Sequence, residues 1–262
     1  MAKPHYRAVM LVLASDDAPI YKDLKRVFEQ YIDKNPNIKV LFVYGSGVTF
    51  TPKDYDIVYP NVEETPIPGA IVKTIQAMQF IQDSYCYDFL IRTNLSTFWD
   101  FDLLLERLNT LPPDRCHTGT LREAQGRYPD GTLEKLHYFI AGLDLILSPD
   151  IVQLLLDNKS SLDFSKPEDM AIAKLLVNLG VNFTPSEDNI HFMTHFYTPS
   201  VARVLNEIDS ALKQNHDHYR IKNSDRVLDV FIAECLLYHY YGEKIEDLGG
   251  GFIPRRKTPS EV

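Results

Sequence analysis

Hydrophobic residues form two kinds of block along the first part of the chain, and together these blocks predict a strand–helix–strand unit. A continuous apolar run at residues 8–13 and a second run at 38–43, in which Lys39 is the one polar residue, are typical of strands buried on both faces. Between the two runs, apolar residues recur at helical spacing from Leu24 to Ile32, with charged residues at the intervening positions. Because such crossovers join parallel strands, the pattern predicts a parallel sheet.

The next stretch continues the alternation of strands and helices. Apolar spacing predicts a strand at 55–59, a helix at 70–81 and a further strand at 88–92. A leucine-rich helix then follows Asp100 and Asp102, and either aspartate is a suitable N-cap for it. This order of elements is typical of an α/β protein.

The second half of the chain has a less regular pattern. We predict strands at 117–122 and 139–147, and helices that begin at Ser148, at 165–169 and, with Ser224 as the cap, near the end of the chain. Residues 191–218 are rich in histidine and tyrosine and show no clean period.

Neither an internal repeat nor an interdomain linker interrupts these elements. We therefore expect a single α/β domain over residues 1–248, with a mostly parallel, Rossmann-like central sheet flanked by helices and an elaborated C-terminal half. Three glycines open residues 249–262, which we expect to form a flexible tail.

Composition narrows the class of protein. The 262 residues include 45% hydrophobic side chains, enough for a folded core, and carry a formal net charge of −9. An acidic chain is a poor match for a nucleic-acid backbone, which requires a basic face. The three cysteines, widely spaced, fit neither a zinc site nor a disulfide framework. Without a signal peptide or a long apolar span, we expect a soluble, cytoplasmic protein.

Ligands of a parallel sheet bind beyond the carboxyl ends of its strands, so the residues that follow the predicted strands are candidate binding groups. These are Ser15, the turn Gly45-Ser46-Gly47 and the segment after Arg92. Neither a dinucleotide-binding nor a P-loop fingerprint is present. The glycine pair by itself is more typical of a tight turn than of a phosphate cradle.

Two acidic motifs have both a structural and a functional interpretation. Asp100-Phe101-Asp102 matches the Asp-x-Asp pattern of metal-dependent nucleotide-sugar enzymes, but helix capping explains it better. Glu168 and Asp169 lie in a predicted first helical turn, where the helix dipole favours acids. One of the two could also serve as a general base.

Four of the eight histidines are concentrated in residues 191–218. They are His191, His195, His216 and His218. The first two would share a helix face if their segment were helical, but no zinc-binding motif accompanies them. Ordinary core or surface histidines are therefore the favoured interpretation.

Four segments occur in an order that resembles one enzyme family. They are LKRVFEQYI with VLFVYG, DIVYPNVEETPIPGAIVKTIQAMQFI, YDFLIRTNLSTFWDFDLLLERL, and HYFIAGLDLILSPDIVQLLLDN with KPEDMAIAKLLVNLGV. Together they resemble the GT-A glycosyltransferases, most of all the β-1,3-galactosyltransferase and Fringe group, over about residues 7–200. The resemblance implies a GT-A fold, a nucleotide-sugar donor, with UDP-sugars favoured, and a glycan or other hydroxyl acceptor.

The resemblance also implies roles for individual residues. Asp169 matches the inverting general base that deprotonates the acceptor, and Glu168 matches a neighbour that orients this base or touches the acceptor. The implied donor-binding residues are Ser15, Asp56, Lys73, Arg92, Asn94, Ser96, Ala141 and Gly142. Among them, Asp56 would lie near the base or ribose, and Ala141 and Gly142 would cover the donor sugar. His195 lies about where the family has a metal-binding histidine.

One departure from the family pattern bears on the mechanism, because the family's Asp-x-Asp falls on Asn94 and Ser96. Mn²⁺ and Mg²⁺ prefer anionic oxygen ligands. The favoured interpretation is an enzyme without a metal cofactor, in which an arginine offsets the charge of the leaving diphosphate. Candidate arginines are Arg92, Arg122 and Arg220.

Three alternatives stay open. Mn²⁺ or Mg²⁺ could bind through Asn94, Ser96 and His195. The chain could be a catalytically degenerate relative that binds a glycan or a nucleotide without turnover. It could also be an unrelated α/β nucleotide-binding enzyme.

Overall fold

The computed structural model describes residues 3–125, 137–185, 190–195, 201–214 and 216–242. The predicted tail at 249–262 lies outside these residues. The strands are β1 (His5–Leu13), β2 (Ile38–Tyr44), β3 (Asp56–Val58), β4 (Cys86–Asn94), β5 (Thr97–Trp99), β6 (His117–Thr118), β7 (Leu121–Ala124), β8 (His137–Ile140), β9 (Asp144–Leu147), β10 (Ile190–Met193) and β11 (His218–Ile221). The helices are α1 (Pro19–Glu29), α2 (Gly69–Ser84), α3 (Phe101–Thr110), α4 (Pro149–Asp157), α5 (Glu168–Asn178), α6 (Val201–Ala211) and α7 (Val227–Tyr241), with a short 3₁₀ helix at Lys159–Ser161.

The chain divides into two compact units, each built from three stretches of sequence. Unit 1 consists of Met1–Asp17, Asn37–Asn94 and Thr110–Asp188. Unit 2 consists of Ala18–Pro36, Leu95–Asn109 and Asn189–Val262. The single domain expected over residues 1–248 stays a prediction.

Unit 1 is an α/β structure with a mixed, mostly parallel sheet flanked by helices, as the sequence predicts. Its six strands lie in the order β3-β2-β1-β4-β9-β6. The first four are parallel, and β9 pairs antiparallel with both β4 and β6. Residues 8–12 of β1 are fully buried, which explains why this strand is a continuous apolar run. Apolar side chains of α2, α4 and α5 complete this core.

The predicted strands at 117–122 and 139–147 are each interrupted. Gly119 separates β6 from β7 with a φ of +137°, a conformation that other residues rarely adopt. Residues 141–143 separate β8 from β9. β7 and β8 form a separate two-stranded sheet.

Unit 2 contains a three-stranded sheet in the order β10-β11-β5, together with α1, α3, α6 and α7. Its core is aromatic: the Tyr31 ring stacks on Phe28 and Tyr241, with ring centroids 4.7 and 5.0 Å apart. Asp100 caps α3, because its Oδ1 accepts hydrogen bonds from the backbone N–H groups of Asp102 and Leu103.

One prediction about the C-terminal part is wrong, and the segment of His191 and His195 is not helical. Ser224 does not cap the last helix, because α7 begins at Val227 and the residue before it is Arg226. His191 lies in strand β10, so it shares no helix face with His195. Within the irregular stretch the structure also contains α6, whose apolar positions the surrounding histidines and tyrosines obscured.

No helix in the described ranges combines the length and the apolar character that crossing a membrane requires.

Candidate functional site

The carboxyl ends of β1 and β4 lie side by side, with Leu13 opposite Asn94 in the parallel register. β2 continues the sheet on one side of this strand pair and β9 on the other. A position where connections leave a parallel sheet in opposite directions opens a crevice that commonly binds ligands. Most of the predicted site residues of unit 1 gather here.

A buried ion pair lies at the centre of this cluster. Arg92, near the end of β4, donates from Nε to Oε1 of Glu168 at 2.9 Å and from Nη2 to Oε2. The two side chains are only 7% and 4% exposed. Burial raises the pKa of the Glu168 carboxyl, and the positive charge of Arg92 opposes this shift. The positive charge of Arg92 is therefore already matched by a carboxylate of unit 1.

Asn94, two residues further along β4, contacts the same guanidinium. Nη1 of Arg92 donates to Oδ1 of Asn94 at 3.0 Å. Because arginine carries only donors, the atom of the Asn94 amide that faces it must be the oxygen. The half-exposed Asn94 side chain therefore directs its NH₂ group away from Arg92.

Residues 141–143 form a loop that connects the ion pair to Asp169. The N–H of Gly142 donates to Oδ2 of Asp169 at 3.2 Å. A Cβ atom at position 142 would lie 2.5 Å from Nη1 of Arg92, so a larger residue there would have to displace the guanidinium from its place beside Glu168. Thr93 Oγ1 fixes the far side of the loop by donating to the carbonyl oxygen of Leu143 at 2.6 Å.

Asp169 lies in the first turn of α5 and is half-exposed, whereas its neighbour Glu168 is buried. Oδ1 of Asp169 accepts a hydrogen bond from the N–H of Met170 at 2.9 Å. Each carboxylate oxygen thus accepts one backbone hydrogen bond and keeps further acceptor capacity. The sequence predicted acids at this helix start, and the structure gives them different surroundings.

A second ion pair lies beside the first. Lys73 of α2 donates from Nζ to Oε2 of Glu64 at 2.6 Å and to the carbonyl oxygen of Ala14 at 2.8 Å. Burial lowers the pKa of Lys73, and the hydrogen bond to Glu64 opposes that shift. The other oxygen of Glu64 accepts from the N–H of Gly45. Lys73 and Glu64 together join the loops that follow β1 and β2.

The other predicted donor-binding residues of unit 1 have less specific surroundings. Ser15 is half-buried, and its Oγ accepts from the N–H of Asp17 within the loop after β1. Asp56 begins β3 and accepts from the N–H of Lys53 at 2.9 Å. Ala141 is buried and donates its N–H to the carbonyl oxygen of Thr120. Arg122 is exposed on β7.

Ser96, His195 and Arg220 belong to unit 2 and are described within it. Arg220 donates from Nη1 to Oγ of Ser96 at 2.5 Å. Nε2 of the buried His195 lies 3.0 Å from Oε2 of Glu207. His195 therefore has a carboxylate neighbour that its position in the sequence did not indicate.

The residues around Asn94 do not match a divalent-cation site. The described residues contain no group of three or more His, Cys, Asp or Glu side chains placed to hold a metal ion. A cation bound to Oδ1 of Asn94 would also compete with the Arg92 guanidinium for the same oxygen. The donor set at this edge of the sheet thus favours hydrogen bonding over metal coordination.

Sequence reasoning missed two residues of the cluster. Glu64 lies in a proline-containing loop without regular periodicity. Thr120 was also missed: its N–H and Oγ1 both donate to the Asp144 carboxylate at the start of β9. No sequence signal marks these two residues, because each is defined by a contact that only the folded chain makes.

Comparison of the chain with models of known protein families and with curated proteins finds no match.

Proposed function

We propose that the chain is a glycosyltransferase, with its catalytic centre in unit 1. It would transfer a sugar from a nucleotide-diphosphate sugar, with UDP-sugars favoured, to a hydroxyl acceptor with inversion at the anomeric carbon. The observation that carries this proposal is Asp169, a half-exposed carboxylate at the carboxyl edge of the parallel strands, beside a buried Arg92–Glu168 pair. The GT-A resemblance of the sequence provides the reaction type.

The proposed reaction needs one general base. Asp169 accepts the proton of the acceptor hydroxyl while the acceptor oxygen attacks the anomeric carbon, and the bond from that carbon to the diphosphate breaks. The backbone N–H groups of Gly142 and Met170 orient the carboxylate. Glu168 is held by Arg92, so we assign it to positioning the start of α5 and not to proton transfer.

The first prediction concerns Asp169. Asp169→Asn removes the base, and we expect the transfer rate to fall by about 10²- to 10⁴-fold while binding of the nucleotide sugar is largely kept. The transfer rate is measured as UDP release in the presence of acceptor, with binding followed by thermal shift across a panel of UDP-sugars.

The matched control is Asp163→Asn, an identical change at a half-exposed carboxylate just before α5. Asp163 accepts hydrogen bonds from the exposed residues Ser165 and Lys174, so this variant should lose little stability and keep its activity. Transfer by Asp169→Asn at a rate close to that of the unmodified protein would show that the assigned base is wrong.

A second candidate, a module that binds a glycan or nucleotide without turnover, is favoured by the neutralised charge of Arg92. Lys73 and Arg92 are both paired with carboxylates, so the cluster supplies little to offset a leaving diphosphate. Slow hydrolysis of the donor in the absence of acceptor separates the two candidates, because only an enzyme cleaves the donor.

A further inference from the structure

The Asn94 side-chain amide has a fixed orientation. Its Oδ1 accepts from Arg92, and the side chain makes no other hydrogen bond within the described residues. Its NH₂ group therefore offers two donors at the half-exposed end of β4. A group that binds there must supply hydrogen-bond acceptors.

The surrounding charges indicate what kind of acceptor fits. Two cations, Lys73 and Arg92, are each paired with a carboxylate, Glu64 and Glu168 respectively. Asp169 adds a third carboxylate, so two positive and three negative groups leave a net charge of −1 on the cluster. In a partly desolvated site this charge disfavours a phosphate and does not disfavour a neutral hydroxyl.

Donor and acceptor groups both lie around the same guanidinium. Nη1 of Arg92 contacts Asn94 and packs against Gly142, and Gly142 in turn donates to Asp169. One edge of the sheet therefore presents an amide NH₂ and a carboxylate that keeps acceptor capacity. Each hydroxyl group of a sugar donates one hydrogen bond and accepts others, so a polyol matches both groups.

We infer that Asn94 is a specificity-determining residue that donates hydrogen bonds from Nδ2 to hydroxyl oxygens of the transferred sugar, and that it is neither a metal ligand nor a diphosphate ligand. The inference rests on the proposed function for the identity of the sugar donor. The hydroxyl-binding character of Asn94 follows from its contacts with Arg92 and from the charge of the cluster.

The direct test follows the side-chain NH₂ signals of Asn94 by NMR in isotope-labelled protein, with the signals assigned by their loss in Asn94→Asp. The probes are methyl glycosides of glucose, galactose and N-acetylglucosamine, inorganic pyrophosphate, and MgCl₂. We expect the signals to shift with at least one glycoside and not with pyrophosphate or Mg²⁺. A shift with pyrophosphate or Mg²⁺ alone, or no shift with any probe, would overturn the inference.

A second measurement compares UDP with UDP-sugars. Asn94→Asp replaces the two N–H donors of the amide with an oxygen that only accepts. We expect it to lower the affinity for the UDP-sugar that binds best by about 10- to 100-fold and to change the affinity for UDP little. An equal loss for UDP and UDP-sugar would instead assign Asn94 to the diphosphate. Tighter binding of either ligand in the presence of Mn²⁺ would indicate that Asn94 is a metal ligand.

The control variant is Asn178→Asp, which makes the same chemical change at the exposed far end of α5, about 13 Å along the helix from Asp169. It should leave both affinities unchanged. Failure of the proposed function has a different signature: neither transfer nor UDP-sugar binding is detected, while glycosides still shift the Asn94 signals.

Discussion

At the residue scale, the Arg92–Glu168 pair has a large energetic consequence. Both side chains are almost completely buried, and the guanidinium binds both oxygens of the carboxylate. Removing water from two charges is costly, and the paired geometry offsets that cost only while both partners are present. Loss of one partner leaves an uncompensated charge in the core.

This leads to a prediction for stability. Glu168→Leu leaves Arg92 buried without a carboxylate, and we expect it to lower the free energy of unfolding by about 3–5 kcal/mol. Urea denaturation measures the loss. The double variant Arg92→Met with Glu168→Leu should recover most of the stability, because it removes both charges. A double variant as unstable as the single one would contradict this account.

Sequence reasoning could identify the residue types of the site but not their pairing. Acids in the first turn of α5 and an arginine at the end of a buried strand are local signals, and both were predicted. That Arg92 binds Glu168, 76 residues away, is a tertiary fact with no local signature. Arg92 was therefore one of three arginines considered as candidates to offset a diphosphate, and the structure pairs its charge with Glu168.

At the scale of elements, the loop at residues 141–143 determines how the site is assembled. It is held by Thr93 on one side, where Leu143 accepts a hydrogen bond, and by Thr120 on the other, where Ala141 donates one. Gly142 lies between them against the Arg92 guanidinium. The loop is therefore fixed on both sides while its centre contacts the ion pair and Asp169.

We expect Gly142→Ala to be destabilising, because the new methyl group would lie 2.5 Å from Nη1 of a guanidinium that two hydrogen bonds to Glu168 hold in place. Overpacking of this kind costs about 1–3 kcal/mol. In an Arg92→Lys background, which lacks the guanidinium, the same change should cost clearly less. A double-mutant cycle from thermal unfolding measures this coupling, and additive effects would argue against the contact.

At the scale of elements, the hydrophobic pattern of the sequence predicted some strands correctly and missed interruptions in others. Buried apolar residues dominate the middle of β1, β2 and β4, so the hydrophobic pattern predicted these three strands. The predicted strand at 139–147 is divided between β8 and β9, because its middle residues bond to Thr93 and Thr120 instead of continuing a sheet. Such interruptions depend on contacts made across the sheet.

At the scale of the whole molecule, stability should depend on pH through a buried histidine. His117 in β6 is fully buried, and neither ring nitrogen has a hydrogen-bond partner within the described residues. Burial lowers the pKa of His117 from 6.5 to about 4. The unfolded chain therefore binds a proton that the folded chain excludes between these pH values, and stability falls as the pH falls through this window.

Replacement of this ring tests the effect. A difference of one pKa unit corresponds to ~1.4 kcal/mol. As the pH is lowered from 7 to 4, we therefore expect the free energy of unfolding of His117→Phe to rise by about 3 kcal/mol relative to that of the unmodified protein. Urea unfolding at a series of pH values measures the difference. His137→Phe, at an exposed position on β8, serves as the control and should leave the pH dependence unchanged. Parallel pH profiles for His117→Phe and the unmodified protein would refute the assignment.

The interleaving of the two units along the chain has a consequence for biosynthesis and for protein engineering. The chain passes from one unit to the other five times, and the last passage follows Asp188. During translation all the stretches of unit 1 are therefore synthesised before the third and longest stretch of unit 2. The segments at 18–36 and 95–109 form a complete unit only after this C-terminal stretch has also been synthesised. No single cut in the gene would release either unit intact, and a fragment that expresses unit 1 alone would need engineered loops at two places.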